Sequence, residues 1–307
     1  MAVLTVLLFF SSLIVFVYYT YNCFINTHFR KDGMMVYDYF MKHFLKGVSN
    51  NDFNFMNYGL WDDENNTLEK ANLNLCDFVY TKIKRRSSDE TTDHKRGILD
   101  VGCGYGFQDI VWSKKLDDMN TKIYAIDISE KQIEYAITAQ KENNISNKQL
   151  TYMVGDAMNI QDQFKCKFDT IISLESAFHY RDRPMFFKNV QSLLKDDGVF
   201  VITDIILNDN ALSILSTIFM SFAIDFFNIP ENNLIRLDDW KKSIRDNGLE
   251  CIEIHNITEK TFDPYYRYTF HQYCKNAPLF ANMCQNVFAY VQPFTYVVAV
   301  CKKKVCR

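Results

Sequence analysis

The stretch Asp100-Val101-Gly102-Cys103-Gly104-Tyr105-Gly106 constrains this 307-residue chain more than any other feature. The apolar run before it, residues 97–103 (GILDVGC), reads as a buried strand, and residues 107–116 read as a helix. Glycines at alternate positions in the junction permit positive φ and let the backbone approach a ligand closely. The N–H groups that open the helix then face that ligand. A glycine turn of this kind also serves nicotinamide-binding folds, and a tight turn with no ligand is the plainer alternative.

The body around this turn alternates strand and helix. Residues 122–129, 150–155, 168–174 and 199–206 are short apolar runs with strand character. Residues 130–142 place Ile133, Ala136 and Ile137 on one helical face, and 184–194 reads as a further helix. Residues 237–247 look helical with Gly248 as the stop, 249–255 and 296–302 read as closing strands, and the aromatic-rich 261–291 reads as helical. Strands joined by helices imply parallel crossovers. The expected fold is α/β: a Rossmann-like, doubly wound, mostly parallel seven-stranded sheet. A helical cover over residues 37–84, with a loop around 50–66, and a polar connector at 84–96 precede it.

Two acids follow the turn at informative places. Asp127 ends the second strand, 21 residues after Gly106. An acid there accepts from ribose hydroxyls in dinucleotide folds, although Asp127 and Ser129 also suit a helix cap. Asp156, in Gly155-Asp156-Ala157 after the third strand, reads as an acceptor for an adenine amino group or as an ordinary turn acid.

The amino-terminal region is different. Residues 2–20 carry no charge and are almost wholly apolar. At about 1.5 Å per residue they span roughly 28 Å as a helix, close to a bilayer core. Tyr18, Tyr19 and Tyr21 fall where an interfacial belt lies. No basic residue precedes the run and no small-residue cleavage site follows it, so an uncut anchor is expected rather than a signal peptide. Arg30, Lys31, Lys42 and Lys46 follow it, which places the body in the cytosol. The domain reading is an anchor and juxtamembrane segment (1–29), a helical cover and linker (30–96) and a Rossmann-like core (97–307) with a substrate-covering insertion around 207–235.

Charge and cysteines narrow the function. A net charge of -3 gives no basic footprint for nucleic acid. The nine cysteines form no CxxC pair and have no zinc-type histidine spacing, so free thiols are expected and no metal site.

The ordered set ILDVGCGYG, AIDIS, GDAM, FDTIISLESAFHY and LLKDDGVFVITDI resembles the class I S-adenosylmethionine-dependent methyltransferases, in particular the small-molecule branch of sterol, tocopherol and sugar methyltransferases. The likeness runs from about residue 57 to 206. Asn57-Tyr58-Gly59-Leu60-Trp61 is similar to the segment that closes over the cofactor in that branch, and Phe107, where a third fingerprint glycine falls in nicotinamide folds, argues against that alternative. The resemblance implies S-adenosyl-L-methionine as cofactor. Tyr58 lies in the closing segment; Asp100, Gly102, Cys103 and Gly104 surround the methionine portion; Asp127 holds the ribose, with Ile128 and Gln132 beside the adenine. Asp156 and Ala157 frame the adenine, and Glu175 borders the methyl-donor pocket.

Methyl transfer from a sulfonium is an in-line displacement with a neutral leaving group, so positioning supplies most of the rate. A base is needed only for a protonated nucleophile. The resemblance puts His179 in that role, paired with Asp204 after the fifth strand; packing in the loop is the alternative for His179. Residues 211–227 form a second apolar stretch, interrupted by Asp225, which reads as a cover over the acceptor or as a core helix. With the anchor, it points to a small lipid-like or isoprenoid acceptor. A non-catalytic binding protein on the same fold is the competing reading.

Overall fold

The computed structural model describes residues 57–62, 67–83, 96–116, 121–209, 220, 224, 229–273, 275–276 and 278–304. The expected anchor at residues 2–20, much of the helical cover and nearly all of the apolar 211–227 stretch lie outside them. Among the described residues no helix is long and apolar enough to cross a membrane.

The first described helix is α1 (Leu68–Lys82), whose first turn is capped by the Thr67 hydroxyl accepting from the Lys70 N–H. The alternation expected from the apolar runs then appears in order. Strand β1 (Arg96–Val101) leads through the glycine turn to α2 (Phe107–Lys115), and β2 (Thr121–Asp127) leads to α3 (Glu130–Glu142). Next come β3 (Leu150–Val154), the short α4 (Ile160–Gln163) and β4 (Phe168–Leu174). After these follow α5 (Arg183–Leu193), β5 (Leu194–Leu207), α6 (Leu237–Asp246) and β6 (Leu249–Asn256). The aromatic region forms two helices, α7 (Phe262–Tyr273) and α8 (Pro278–Val291), before β7 (Phe294–Lys303) closes the chain.

Local chemistry fixes the helix starts. Ser129 caps α3 by accepting from the Gln132 N–H, and Asp182 caps α5 by accepting from Met185, with Pro184 in the first turn where no N–H is needed. Gly106 opens α2 in the left-handed region at φ 74°. A side chain there has no room, because a Cβ would meet the Tyr152 hydroxyl at 2.3 Å.

The seven strands run in the order β3-β2-β1-β4-β5-β7-β6, all parallel except β7, which is antiparallel to both β5 and β6. Side chains alternate between two cores. On one face Ile98, Ile123 and Ile172 pack with Leu75, Trp112, Ile133 and Ala136 of α1–α3. On the other, Leu99, Ile126, Ile171 and Phe200 pack with Phe186, Phe187, Trp240 and Ile244 of α5 and α6. Every residue of β4 is buried, as befits a strand covered on both faces.

Strand β1 has β2 on one side and β4 on the other. The chain leaves β1 in one direction and returns in the opposite one, which opens a crevice at the carboxyl ends of these strands. The glycine turn, Asp127, Asp156 and Glu175 all sit at those ends.

Candidate functional site

The crevice is built on a rigid floor. Gly102 (φ 80°) and Gly104 (φ 57°) bring the backbone round in a turn closed to most side chains. A Cβ on Gly102 would meet Ser176 Cβ at 2.4 Å and the Tyr180 hydroxyl at 2.8 Å. Those two hydroxyls sit 2.8 Å apart, and both reach the Val101 carbonyl, Ser176 at 2.9 Å and Tyr180 at 3.0 Å. Ser173 Oγ extends the chain of hydroxyls at 2.8 Å from Ser176 Oγ. The β1 and β4 ends are thus tied together beneath the turn.

Asp127 locks the turn from the other side. Its Oδ2 accepts from the Gly104 N–H and its Oδ1 from the Ser129 N–H, each at 2.9 Å. These two bonds fix the orientation of the carboxylate at the end of β2, beside the glycine turn. Beside it Ile128 is 55% exposed, an apolar surface at a strand end. Gln132 and Ala157 are buried nearby in sequence, at the start of α3 and after β3. Asp156 caps the turn after β3 through the Met158 N–H at 2.8 Å, and its other oxygen meets the exposed Arg181 at 3.3 Å.

Asp100 lies under the turn, fully buried. Gln108 Nε2 donates to its Oδ2 at 3.0 Å and to the Cys103 carbonyl at 2.8 Å. Its Oδ1 and both oxygens of the equally buried Asp109 have no donor. Burial pushes the Asp100 carboxyl up to about 7 and drives Asp109 well above its usual range; Asp100 raises Asp109 further, whereas the hydrogen bond from Asp109 lowers Asp100. A proton on Asp109, shared with Asp100, satisfies one oxygen of each acid.

Glu175 stands at the end of β4 in a left-handed conformation (φ 50°), a strained backbone for a residue with a side chain. The segment before α1 reaches it. Asn72 donates to the carbonyl and side chain of Asn57, and Leu60 N–H bonds Ala71 O at 2.8 Å. So pinned, Tyr58 N–H donates to Glu175 Oε1 at 2.9 Å and Oε2 at 3.1 Å. The Tyr296 hydroxyl of β7 donates to Oε1 at 2.5 Å. Burial pushes the Glu175 carboxyl up to about 8, against the pull of Tyr296 and the Tyr58 N–H. Among the described residues no lysine or arginine pairs with it.

Next to Glu175 is an aromatic wall. The Tyr58 ring lies edge-on to Phe262 (5.2 Å) and Tyr265 (4.8 Å), and Phe262 packs on Tyr296 (6.0 Å) and Tyr266 (6.1 Å). Motif reading missed Tyr296 and this wall, because β7 and α7 follow the matched motifs by many residues.

The expected His179–Asp204 pairing takes a different form. Asp204 has no exposed surface. Its Oδ2 accepts from Arg183 Nη1 at 2.8 Å and Trp240 Nε1 at 2.7 Å, and its Oδ1 from the Ile205 N–H at 3.0 Å. Burial raises its pKa, and Arg183 and Trp240 pull it back. Arg183, 1% exposed, also donates to the Asn233 carbonyl. Asp204 is therefore committed to a buried ion pair that ties β5 to α5 and α6. His179 lies in the single turn after β4, its ring 4.1 Å from that of Phe178. Among the described residues no cluster of histidine, cysteine or acid side chains suits a metal ion.

Comparison with known proteins places the chain in a family. Residues 93–269 match the family described as a methyltransferase domain. The chain is 26% identical over 221 residues to the erythromycin 3''-O-methyltransferase of Saccharopolyspora erythraea, covering 70% of this chain and 68% of that one. It is 27% identical over 211 residues to the ubiquinone biosynthesis O-methyltransferase of Pelagibacter ubique, covering 66% and 80%. A solved structure of geranyl diphosphate C-methyltransferase from Streptomyces coelicolor, in complex with Mg2+, geranyl diphosphate and S-adenosyl-L-homocysteine, superposes with TM-score 0.65 at 14% identity, covering 86% and 98%. The crevice residues fit a sulfonium nucleoside: an oriented carboxylate beside an exposed apolar residue, and a buried carboxyl without a basic partner. With the family match spanning more than half its length, the chain belongs to the S-adenosylmethionine-dependent methyltransferases of the small-molecule type.

Proposed function

We propose that the chain methylates a small apolar or lipid-like acceptor beside a membrane, with Glu175 and the aromatic wall defining the reaction pocket. The observation that carries this reading is the contact between Glu175, Tyr58 and Tyr296, set directly against Phe262 and Tyr265. One side of that pocket is a carboxyl suited to a cation, and the other is aromatic surface suited to a ring or an unsaturated chain.

The cofactor supplies an electrophilic methyl on a cationic sulfur. In this reading Asp127 takes the ribose, while Ile128, Gln132, Asp156 and Ala157 surround the adenine. Asp100, Gly102, Cys103 and Gly104 hold the methionine end, with Tyr58 closing over it. Glu175 stabilises the positive charge and excludes water. His179, on the loop at the mouth of the crevice, takes a proton from an acceptor hydroxyl, and Asp204 supports the loop through Arg183 rather than acting on the histidine. Where the acceptor is a carbon or an unprotonated amine, His179 positions it instead.

The membrane part of the proposal rests on the uncharged residues 2–20 and on α8. That helix contains no charged side chain and leaves Leu279 and Tyr290 exposed at 85% and 77%. Catalysis at a cytosolic membrane face follows from the basic residues after the apolar run.

The test is to incubate the full chain with methyl-labelled cofactor and membranes of the cells that produce it, then partition the products. Label in the organic phase, lost with Asp127→Ala, is expected. Label confined to water-soluble products contradicts the apolar acceptor. A His179→Ala variant that methylates a hydroxyl acceptor at the wild-type rate removes the base.

A further inference from the structure

The cross-strand cysteines Cys251 and Cys301 lie outside the cofactor crevice. They are direct partners in the antiparallel register of β6 and β7, with sulfurs 3.1 Å apart. Both are free thiols; Cys301 is fully buried and Cys251 half-buried. Directly opposed residues in such a pair have Cα atoms about 4.5–5.5 Å apart, inside the span a disulfide bridges. The register slips between Cys251 and Glu253, so a bulge sits at the pair. A bulge leaves one residue out of the ladder and bends the strand beside the pair.

We propose that Cys251 and Cys301 are a peroxide-responsive dithiol that closes to a disulfide and joins the edge strand β6 to β7. Cys251 is the attacking sulfur. It is the accessible member, and its contact with Cys301 and the nearby Lys241 and Arg245 of α6 favour its thiolate, against burial and Glu250. The thiolate attacks one oxygen of hydrogen peroxide; the O–O bond breaks, a sulfenic acid forms on Cys251, and the other oxygen leaves as water. The Cys301 thiol then attacks that sulfur, forming the S–S bond and expelling the second water. Two thiols lose two electrons and two protons, and one peroxide becomes two waters. A small-molecule thiol reverses the change by exchange. The alternative fate, further oxidation at Cys251, is blocked because the resolving sulfur is already in contact.

The experiment treats the full-length protein with graded hydrogen peroxide, blocks remaining thiols with N-ethylmaleimide and maps peptides by mass spectrometry. Chymotrypsin is needed with trypsin, since the tryptic peptide 276–302 carries Cys284 together with Cys301. The expected product is a 251–301 linked peptide that forms at least tenfold faster than oxidation of the exposed, solitary Cys166, and disappears with dithiothreitol. In Cys301→Ser the sulfenic acid on Cys251 persists and is trapped by dimedone, whereas the wild type gives no adduct. Recovery of Cys251 and Cys301 as alkylated thiols from a sample in which Cys166 is already oxidised overturns the proposal. So does a linkage pattern as random in the folded protein as in guanidinium.

Discussion

Changing Glu175 to glutamine isolates the electrostatic part of the site. In the unfolded chain this carboxyl ionises near pH 4.5, and in the fold it keeps its proton to about pH 8. The native state therefore binds the extra proton between those values. Stability is undiminished below pH 4.5, falls as pH rises through the window and levels off above it. The slope is at most about 1.4 kcal/mol per pH unit and the total about 5 kcal/mol, with relaxation of the pocket bringing the observed loss nearer half of that. Glu175→Gln removes the titration but keeps an oxygen for the Tyr58 N–H and the Tyr296 hydroxyl. Urea unfolding at pH 5 and pH 8 should show the wild type losing about 2–4 kcal/mol more than the variant between the two. A bound cation favours the ionised carboxyl. Calorimetry at pH 6.5 in two buffers of different ionisation enthalpy should then find about one proton released per S-adenosylmethionine bound. The thioether S-adenosylhomocysteine, which shares the α-ammonium but lacks the sulfonium charge, should release far less. Equal proton release for both ligands, or the same release from Glu175→Gln, refutes the placement of Glu175 at the sulfonium.

Other parts of the architecture give independent expectations. Asp204→Ala strands the buried Arg183 and should cost about 3–5 kcal/mol in urea unfolding, whereas an acid serving only a catalytic base would leave stability untouched. Gly102→Ala forces a side chain into Ser176 and Tyr180 at φ 80°; a loss of about 1–2 kcal/mol from backbone strain alone, with weakened cofactor binding, is expected by thermal unfolding and equilibrium dialysis. Asp109→Asn replaces the acid that keeps the shared proton with a permanent donor to Asp100. The wild-type penalty grows as pH rises above the ordinary carboxylate range, so the variant should gain melting temperature over wild type at pH 8 and little at pH 4; an equal effect at both pH values contradicts the shared proton.

Much of this fold was legible because local pattern and tertiary environment agree. The helix read at Glu130–Glu142 and the strand read at Phe168–Leu174 coincide with the structure, since one has a clear apolar face behind a serine cap and the other is apolar throughout. Strand β5 was read as starting at Val199, but it begins at Leu194. Lys195, Asp196 and Asp197 look like a loop in sequence, yet Leu194 pairs with Phe168 across a bulge. The aromatic region read as one helical stretch is two helices, divided before Pro278. In the site, Gly102 and Gly104 were visible because a contiguous turn dictates them, and Asp127 because it ends the next strand. Tyr296 was not, since its contact with Glu175 spans 121 residues. Asp204 was read as the acid after the fifth strand; the structure places it within β5, bonded to Arg183 and Trp240. Nothing local to that strand reveals that Arg183 and Trp240 consume both its charge and its exposure. The Asp100–Asp109 pair escaped notice for a related reason, because an acid in the first turn of a helix ordinarily reads as a favourable dipole partner.

The most direct test of the account is a crystal structure of the full chain with S-adenosylhomocysteine. The nucleoside should lie across the carboxyl ends of β1, β2 and β3, with ribose hydroxyls on the Asp127 carboxylate, adenine against Ile128 and the sulfur beside Glu175. A ligand seated elsewhere, with no ribose hydroxyl on the Asp127 carboxylate, contradicts it.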